Sequence, residues 1–193
     1  DTDLQHREGH AYRAAMTTHA PHYVTLGRSG LRVHPICLGA MTFGTEWRFG
    51  ADVAHSDAML SRYLELGGNF IDTAASYADG DSERVIGGLV GTFFNREDVV
   101  IATKAGISFP QGVRSVNNSR HFLIGELEKS LSRLGTDYVD IWQIHTWDMD
   151  NALEDTLSAL DFAYTSGKAR YVGISNFNGW QSARAISLQE ANT

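Results

Sequence analysis

The sequence predicts an α/β protein in which parallel strands form the sheet and helices connect them. After a short hairpin, segments rich in Val, Ile and aromatic residues alternate five times with longer segments of helical spacing. The strand-like segments mostly lack polar alternation, which indicates burial on both faces of the sheet. Strict alternation of strand and helix implies parallel strands that are joined by right-handed crossovers.

The N-terminal region is predicted to be a tail followed by the hairpin. Residues 1–22 show no clear period, and we expect a tail in which Met16 is a candidate native start and the preceding residues are added or upstream sequence. Residues 23–26 and 31–33 flank the segment Gly-Arg-Ser-Gly, which is typical of a short hairpin. The folded part is therefore expected to cover residues 23–193.

Five strands and four helices are expected after the hairpin. The strand candidates are residues 36–38, 69–72, 99–103, 138–144 and 169–174. The helix candidates are residues 52–66, 119–134, 151–165 and 180–188. In the clearest helix, Ser119 provides an N-cap, and Gly135 fits the left-handed position that ends many helices.

Two sheet architectures fit this order of elements: an open doubly wound sheet and a (β/α)8 barrel. Each βα unit takes roughly 32 residues, close to the roughly 31 residues per unit of a complete barrel. At that spacing the sequence ends about three units short, and the exposed strand edges would require a missing C-terminal part or a partner chain. No Gly-x-Gly-x-x-Gly follows the first strand, which weighs against the classical dinucleotide fold.

Composition narrows the function classes. The formal net charge of −7 argues against nucleic acid and anionic membrane surfaces as partners. The sequence has no run of apolar residues long enough for a membrane span and no signal peptide at its start. The one cysteine, Cys37, cannot form an internal disulfide, which fits a reducing cytoplasm, and its apolar neighbours Ile36 and Leu38 predict that it is buried. No metal site is predicted.

Polar residues end four of the predicted strands. Reactive groups of parallel α/β sheets collect at the C-terminal ends of strands. The residues found there are Asp72 with Tyr77 in the following loop, Lys104, His145, and the pair Ser175 and Asn176. Taken singly, each has a structural alternative: a turn or helix cap, a surface side chain or a core histidine. Together they form a proton-transfer centre, in which Lys104 can pair with Asp72 and stabilise the phenolate of Tyr77.

Several motifs resemble the aldo-keto reductase superfamily in order and spacing. They are Leu-Gly-Ala-Met-Thr-Phe-Gly at 38–44, Asn-Phe-Ile-Asp-Thr-Ala at 69–74 with Tyr77, Thr-Lys at 103–104, Gln-Ile-His at 143–145 and Gly-Ile-Ser-Asn at 173–176. The opening segment, residues 26–31, looks more like the bacterial branch near the potassium-channel β subunits than like the mammalian aldose reductases. The resemblance implies a (β/α)8 TIM barrel, of which residues 23–193 would form a partial barrel without its C-terminal third.

The resemblance also implies a reaction, the reduction of aldehydes or ketones to alcohols with NADPH, with NADH as the alternative cofactor. Tyr77 would be the general acid, Lys104 held by Asp72 would tune it, and His145 would orient the carbonyl oxygen. The implied cofactor-binding residues are Gly39, Ala40, Met41, Asp72, Ser175 and Asn176. Aromatic residues on loops at the same rim are candidates for the substrate pocket: Trp47, Phe49 and Trp147.

Part of the family pattern is missing from the sequence, which leaves alternatives open. The later units of the family bring a Gln beneath the nicotinamide, an aromatic residue that stacks on it, and a basic loop for the phosphates. We therefore expect this sequence alone to bind NADPH poorly or not at all. The alternatives are a non-catalytic nucleotide-sensing or regulatory subunit, and an incomplete barrel that acts as a binding module and self-associates. A homo-oligomer is compatible with all of these interpretations.

Overall fold

A computed structural model describes residues 22–46 and 49–191. The first two strands, β1 (Val24–Thr25) and β2 (Arg32–Val33), form an antiparallel hairpin in which Val24 lies opposite Val33. The hairpin expected around the Gly-Arg-Ser-Gly turn is therefore confirmed. No helix within the described residues is long and apolar enough to cross a membrane.

Five parallel strands form the main sheet in the described part of the chain. They are β3 (Leu38–Gly39), β4 (Phe70–Asp72), β5 (Val100–Ala105), and, after a second hairpin of β6 (Ile107–Ser108) and β7 (Ser115–Val116), β8 (Val139–Ile144) and β9 (Ala169–Ile174). Their spatial order is β3-β4-β5-β8-β9, so each strand lies beside the one before it in the sheet. A doubly wound sheet reverses its strand order at a switch point, whereas a barrel does not. The order is therefore that of a (β/α)8-type barrel.

A helix follows each strand of the main sheet. The helices are α1 (Val53–Glu65), α2 (Asp81–Leu89), α3 (Arg120–Leu134), α4 (Leu153–Thr165) and α5 (Gly179–Ala191). Four of them agree with the predicted helices within a few residues. Ser119 accepts a hydrogen bond from the Phe122 amide, and Gly135 has a φ of 63°, so the predicted cap and stop of α3 are confirmed. The sequence did not predict α2, which is short and contains two successive glycines.

The core has two layers, one on each face of the sheet. The outer layer packs strands against helices, with Ile71, Ile101 and Trp142 fully buried. The inner layer joins Val33 of the N-terminal hairpin to Val100, Ala102 and Ile141, with Leu31, Phe70 and Tyr171 packed against them. Because side chains alternate between faces along a strand, Lys104 lies on the same inner face as Ala102, two residues further toward the C-terminal end of β5.

One prediction about the core is wrong. Cys37 is exposed, and its neighbour Ile36 is also exposed. Both residues precede β3, and within the described sheet β3 has a neighbouring strand on one side only, β4. An apolar run predicts burial only where packing partners lie on both sides.

Candidate active site

Three strand ends bring the predicted polar residues to one rim of the sheet. Asp72 is the last residue of β4, Lys104 lies near the end of β5, and His145 directly follows β8. The loop after β4 continues the ladder to β5, since the Thr73 amide donates to the Ala102 carbonyl and the Ala75 amide donates to the Lys104 carbonyl, both at 2.9 Å. This extension holds the segment that leads to Tyr77 against Lys104.

The Lys104 ammonium connects three groups of the site. Its Nζ donates to Asp72 Oδ2 at 2.6 Å and to the Thr73 carbonyl oxygen at 2.9 Å. Tyr77 Oη lies 3.5 Å from the same nitrogen. Only 8% of the Lys104 side chain is exposed, so its charge depends on these oxygen partners rather than on water. The predicted pair of Asp72 and Lys104 is therefore confirmed.

A strained turn follows Tyr77 and fixes its direction. Ala78 and Asp79 have φ angles of 48° and 52°, in the left-handed region that costs non-glycine residues about 1–2 kcal/mol each. Ala78 is nonetheless only 1% exposed, and the Asp79 carbonyl accepts a hydrogen bond from Arg84. Buried packing and this hydrogen bond hold the chain in a turn that carries it into α2 and leaves Tyr77 beside the strand ends.

His145 completes the cluster on the other side of Tyr77. The two rings meet edge to face, with centroids 5.6 Å apart and an interplanar angle of 81°. Burial lowers the pKa of His145 from 6.5 to about 4, and the positive charges of Lys104 and Arg114 act in the same direction. The imidazole is therefore neutral at pH 7. Its Nδ1 lies 3.5 Å from Ser76 Oγ, and a hydroxyl that donates to Nδ1 leaves the proton on Nε2, available for a ligand oxygen.

We expect His145 to make the fold less stable as the pH falls from about 6.5 to about 4. Its pKa is lower in the folded state than in the unfolded state, so the unfolded chain binds the proton first and unfolding is favoured across this window. The loss should level off below pH 4. Urea unfolding of the protein and of His145→Gln at a series of pH values measures this contribution. A stability difference between the two that stays constant from pH 7 to pH 4 would contradict the low pKa.

Ser175 and Asn176 are fixed beside His145. The Ser175 amide donates to the Ile144 carbonyl at 2.8 Å. Asn176 Nδ2 donates to the His145 carbonyl at 2.8 Å and to Ser175 Oγ at 3.0 Å. Asn176 also has a φ of 56°, a left-handed conformation that Asn tolerates better than most residues. The end of β9 is thus tied to the end of β8, with two polar side chains at the rim.

The loop after β3 offers an open surface next to Asp72. The Ala40 amide donates to the Asp72 carbonyl at 2.8 Å, and the Ala40 carbonyl accepts from Ser82 Oγ at 2.6 Å, so this buried residue is held from both sides. Its neighbours face outward. A Cβ added at Gly39 would meet no atom within 4 Å, and Met41 is 46% exposed. A flat ligand could therefore lie along this loop.

The three aromatic residues predicted to line a substrate pocket differ in their surroundings. Trp47 lies outside the described residues. Phe49 is exposed in the loop after β3. Trp147 is half-buried and meets Phe177 and Trp180 edge to face, at centroid distances of 5.2 and 5.3 Å. The sequence pattern did not indicate these two partners, although both closely follow the polar end of β9.

Two further residues that support the site were not predicted from the sequence. Ser76, already described beside His145, lies in the same loop as Asp72 and Tyr77 and could have been noticed there. Asn118 is 1% exposed and binds the loop after β8. Its backbone amide donates to Asp148 Oδ2 at 2.9 Å, and its side-chain Nδ2 donates to the Thr146 carbonyl at 2.8 Å. Asn118 directly precedes the cap Ser119, where polar residues are common, so the sequence pattern does not distinguish it.

Comparisons with known proteins point to one family. Residues 35–192 match the model of the Aldo/keto reductase family. A norsolorinic acid reductase of Aspergillus flavus is 35% identical over 180 residues, which are 89% of this chain and 46% of the relative. An aryl-alcohol dehydrogenase [NADP(+)] of Phanerodontia chrysosporium is 36% identical over 169 residues, which are 81% of this chain and 44% of the relative.

A solved structure is similar over the same region. An aldo-keto reductase of Bacillus halodurans in its holo form superimposes with a TM-score of 0.73 and 33% identity, covering 82% of this chain and 51% of that chain. The chain thus spans about half the length of the relatives that it matches.

Proposed function

Because the chain belongs to the aldo/keto reductase family, we propose that its site reduces the carbonyl group of aldehydes or ketones to an alcohol with NADPH. The observation that carries the proposal is the contact chain from Asp72 through Lys104 to Tyr77, with Nζ at 2.6 Å from the carboxylate and 3.5 Å from the phenol oxygen. The names of the relatives, a reductase and an NADP(+)-linked dehydrogenase, support it.

Tyr77 is the proposed general acid. When negative charge develops on the carbonyl oxygen, the phenol donates its proton to that oxygen and becomes a phenolate. The nearby Lys104 ammonium stabilises the phenolate, because the two charges are opposite and the ammonium is largely shielded from water. Asp72 keeps the ammonium in place. General acid catalysis of this kind typically contributes a factor of about 10² to 10⁴ in rate.

His145 is proposed to orient the carbonyl oxygen. A neutral imidazole with its proton on Nε2 donates a hydrogen bond to that oxygen and adds no second positive charge beside Lys104. This explains why a low pKa suits the position: burial and the neighbouring cations keep the ring neutral at working pH. Tyr77 and His145 would then approach the same oxygen from two sides, as their edge-to-face rings allow.

The residues present fit part of a nicotinamide cofactor. NADPH would supply the hydride for the carbonyl carbon. Ser175 and Asn176 would bind the carboxamide, and the open surface at Gly39 and the exposed Met41 would accommodate the adjoining part of the cofactor. We favour NADPH over NADH because the Phanerodontia chrysosporium relative is named for NADP(+).

The test of the proposed function is the stoichiometry of the reaction. The protein is mixed with NADPH and an activated aromatic aldehyde, and the loss of NADPH absorbance is compared with the alcohol measured by chromatography. At NADPH concentrations high enough to offset the weak binding expected of this sequence, we expect one alcohol for each NADPH consumed, and slower consumption with NADH. Absence of the alcohol, with or without NADPH loss, would contradict the proposal.

A further inference from the structure

The hairpin formed by β6 and β7 begins at the active-site rim. Ile107 pairs with Val116 and Ser108 with Ser115, and the base is closed by a hydrogen bond of 3.0 Å from the Asn117 amide to the Gly106 carbonyl. The first strand of the hairpin starts three residues after Lys104. Its tip, residues 109–114, is therefore an extension of the strand that carries the ammonium of the site.

The base of this hairpin is held firmly beside His145. Asn118 leaves the hairpin and binds the Thr146 carbonyl through its Nδ2. On its other side, a Cβ added at Gly106 would lie 2.3 Å from Asn118 Oδ1, so the amide packs directly on the backbone at Gly106, where φ is 114°. These contacts fix the base of the hairpin relative to the strand ends.

The tip presents one cation among apolar side chains. Phe109 and Val113 are exposed, and Arg114 beside them is exposed as well. The ion pairs among residues 22–46 and 49–191 do not include Arg114. Asp148, in the neighbouring loop, accepts hydrogen bonds from the backbone amides of Asn118 and Asp150 rather than pairing with Arg114.

The positive charge of Arg114 acts on the ring of His145, where it lowers the pKa. Asp72 compensates Lys104 at 2.6 Å, whereas Arg114 adds a second positive charge that acts on the His145 ring. An anionic group of a ligand at the tip would pair with this guanidinium.

We infer, on the basis of the proposed function, that Arg114 binds an anionic group of the substrate, so that the site prefers carbonyl compounds that carry a carboxylate on an apolar body. A guanidinium binds a carboxylate through two parallel hydrogen bonds, which gives both affinity and orientation. Phe109 and Val113 would contact the apolar body. The substrate class is therefore an aromatic or aliphatic oxo-acid whose carbonyl lies at Tyr77 and whose carboxylate lies at the hairpin tip.

The test compares para-formylbenzoate with its methyl ester, two aldehydes that differ in this charge. In Arg114→Gln we expect kcat/KM for para-formylbenzoate to fall about tenfold, the size of a lost charge-assisted hydrogen bond, and that for the ester to change less than about twofold. Arg114→Glu should lower kcat/KM for para-formylbenzoate further. Added salt should raise KM for para-formylbenzoate and leave KM for the ester unchanged. Arg28→Gln is the matched control, because Arg28 is an exposed arginine in the N-terminal hairpin. It should change kcat/KM for neither aldehyde.

The outcomes separate the inference from the proposed function. An equal loss for both aldehydes in Arg114→Gln would overturn the inference while the reductase activity stands. A higher KM for NADPH with either aldehyde would also overturn it, because Arg114 would then serve a cofactor phosphate. If the unsubstituted protein reduces neither aldehyde, the proposed function fails and the inference fails with it.

Discussion

Replacing Tyr77 with Phe is expected to lower kcat by at least about a hundredfold while the fold remains intact. The substitution removes one oxygen, the atom that lies 3.5 Å from Lys104 Nζ, and keeps the ring that meets His145 edge to face. Lys104 keeps its shorter contacts, at 2.6 Å to Asp72 and 2.9 Å to the Thr73 carbonyl. The expected effect therefore falls on proton donation to the carbonyl oxygen, and KM should change much less than kcat.

Reduction of the neutral methyl ester of para-formylbenzoate measures this effect, and urea unfolding checks the fold. Tyr164→Phe is the control, since Tyr164 is an exposed tyrosine of α4 far along the chain from the strand ends, and it should leave kcat unchanged. A Tyr77→Phe variant that keeps its kcat within a few-fold of the unsubstituted protein would show that the proton comes from another group.

Replacing Gly87 with Ala is expected to destabilise the fold by about 2 kcal/mol or more. Helices α2 and α3 touch at this glycine: an added Cβ would lie 2.2 Å from the Arg133 carbonyl oxygen and 2.9 Å from the Leu134 backbone. The obstacle is backbone, which cannot rotate away as a side chain can. The two helices would have to separate.

Separation of the helices would also strain a buried ion pair. Glu83, 0% exposed on α2, accepts hydrogen bonds from Thr103 Oγ1 at 2.5 Å and from Arg133 Nε at 2.6 Å. It thereby joins both helices to β5, next to Lys104. Breaking a buried pair leaves an uncompensated charge, which typically costs about 3–5 kcal/mol, so partial loss of this contact would add to the effect of the clash.

The adjacent glycine provides a matched control for this prediction. Gly88 lies in the same helix, and a Cβ added there would meet no atom within 4 Å. Gly88→Ala should therefore stabilise the fold by about 0.5–1 kcal/mol, through the better helix propensity of Ala. Urea unfolding gives the free energy of unfolding of both variants and tests both predictions. Similar changes of the same sign would contradict the close approach of α2 and α3 at Gly87.

The sequence predicted best those features that depend on local pattern. The cap at Ser119, the stop at Gly135 and the inward strand end at Lys104 each follow from residue type and periodicity. Helix α2 was not predicted, because its position depends on contacts across the structure, such as Glu83 with Arg133. Apolar spacing does not reveal a buried carboxylate whose partner lies 50 residues further along the chain.

Those residues of the site that lie at strand ends could be predicted from the sequence. The strand-end rule placed Asp72, Lys104 and His145 at one rim because parallel strands share their direction. It gave no information on Asn118 or Arg114, whose positions depend on the fold of the β6–β7 hairpin. Cys37 was expected to be buried because its neighbours are apolar, although burial depends on what packs against the edge strand.

The central claim is that Asp72, Lys104 and Tyr77 act as one proton-donating unit, and a double-mutant cycle tests it most directly. Tyr77→Phe, Lys104→Met and the double variant are compared by kcat for the methyl ester of para-formylbenzoate. If Lys104 acts through Tyr77, the double variant should be about as slow as the slower single variant, since removing the acid leaves the ammonium nothing to stabilise. Losses that multiply, about a hundredfold from each change and about ten-thousandfold together, would show that the two groups act independently and would contradict the claim.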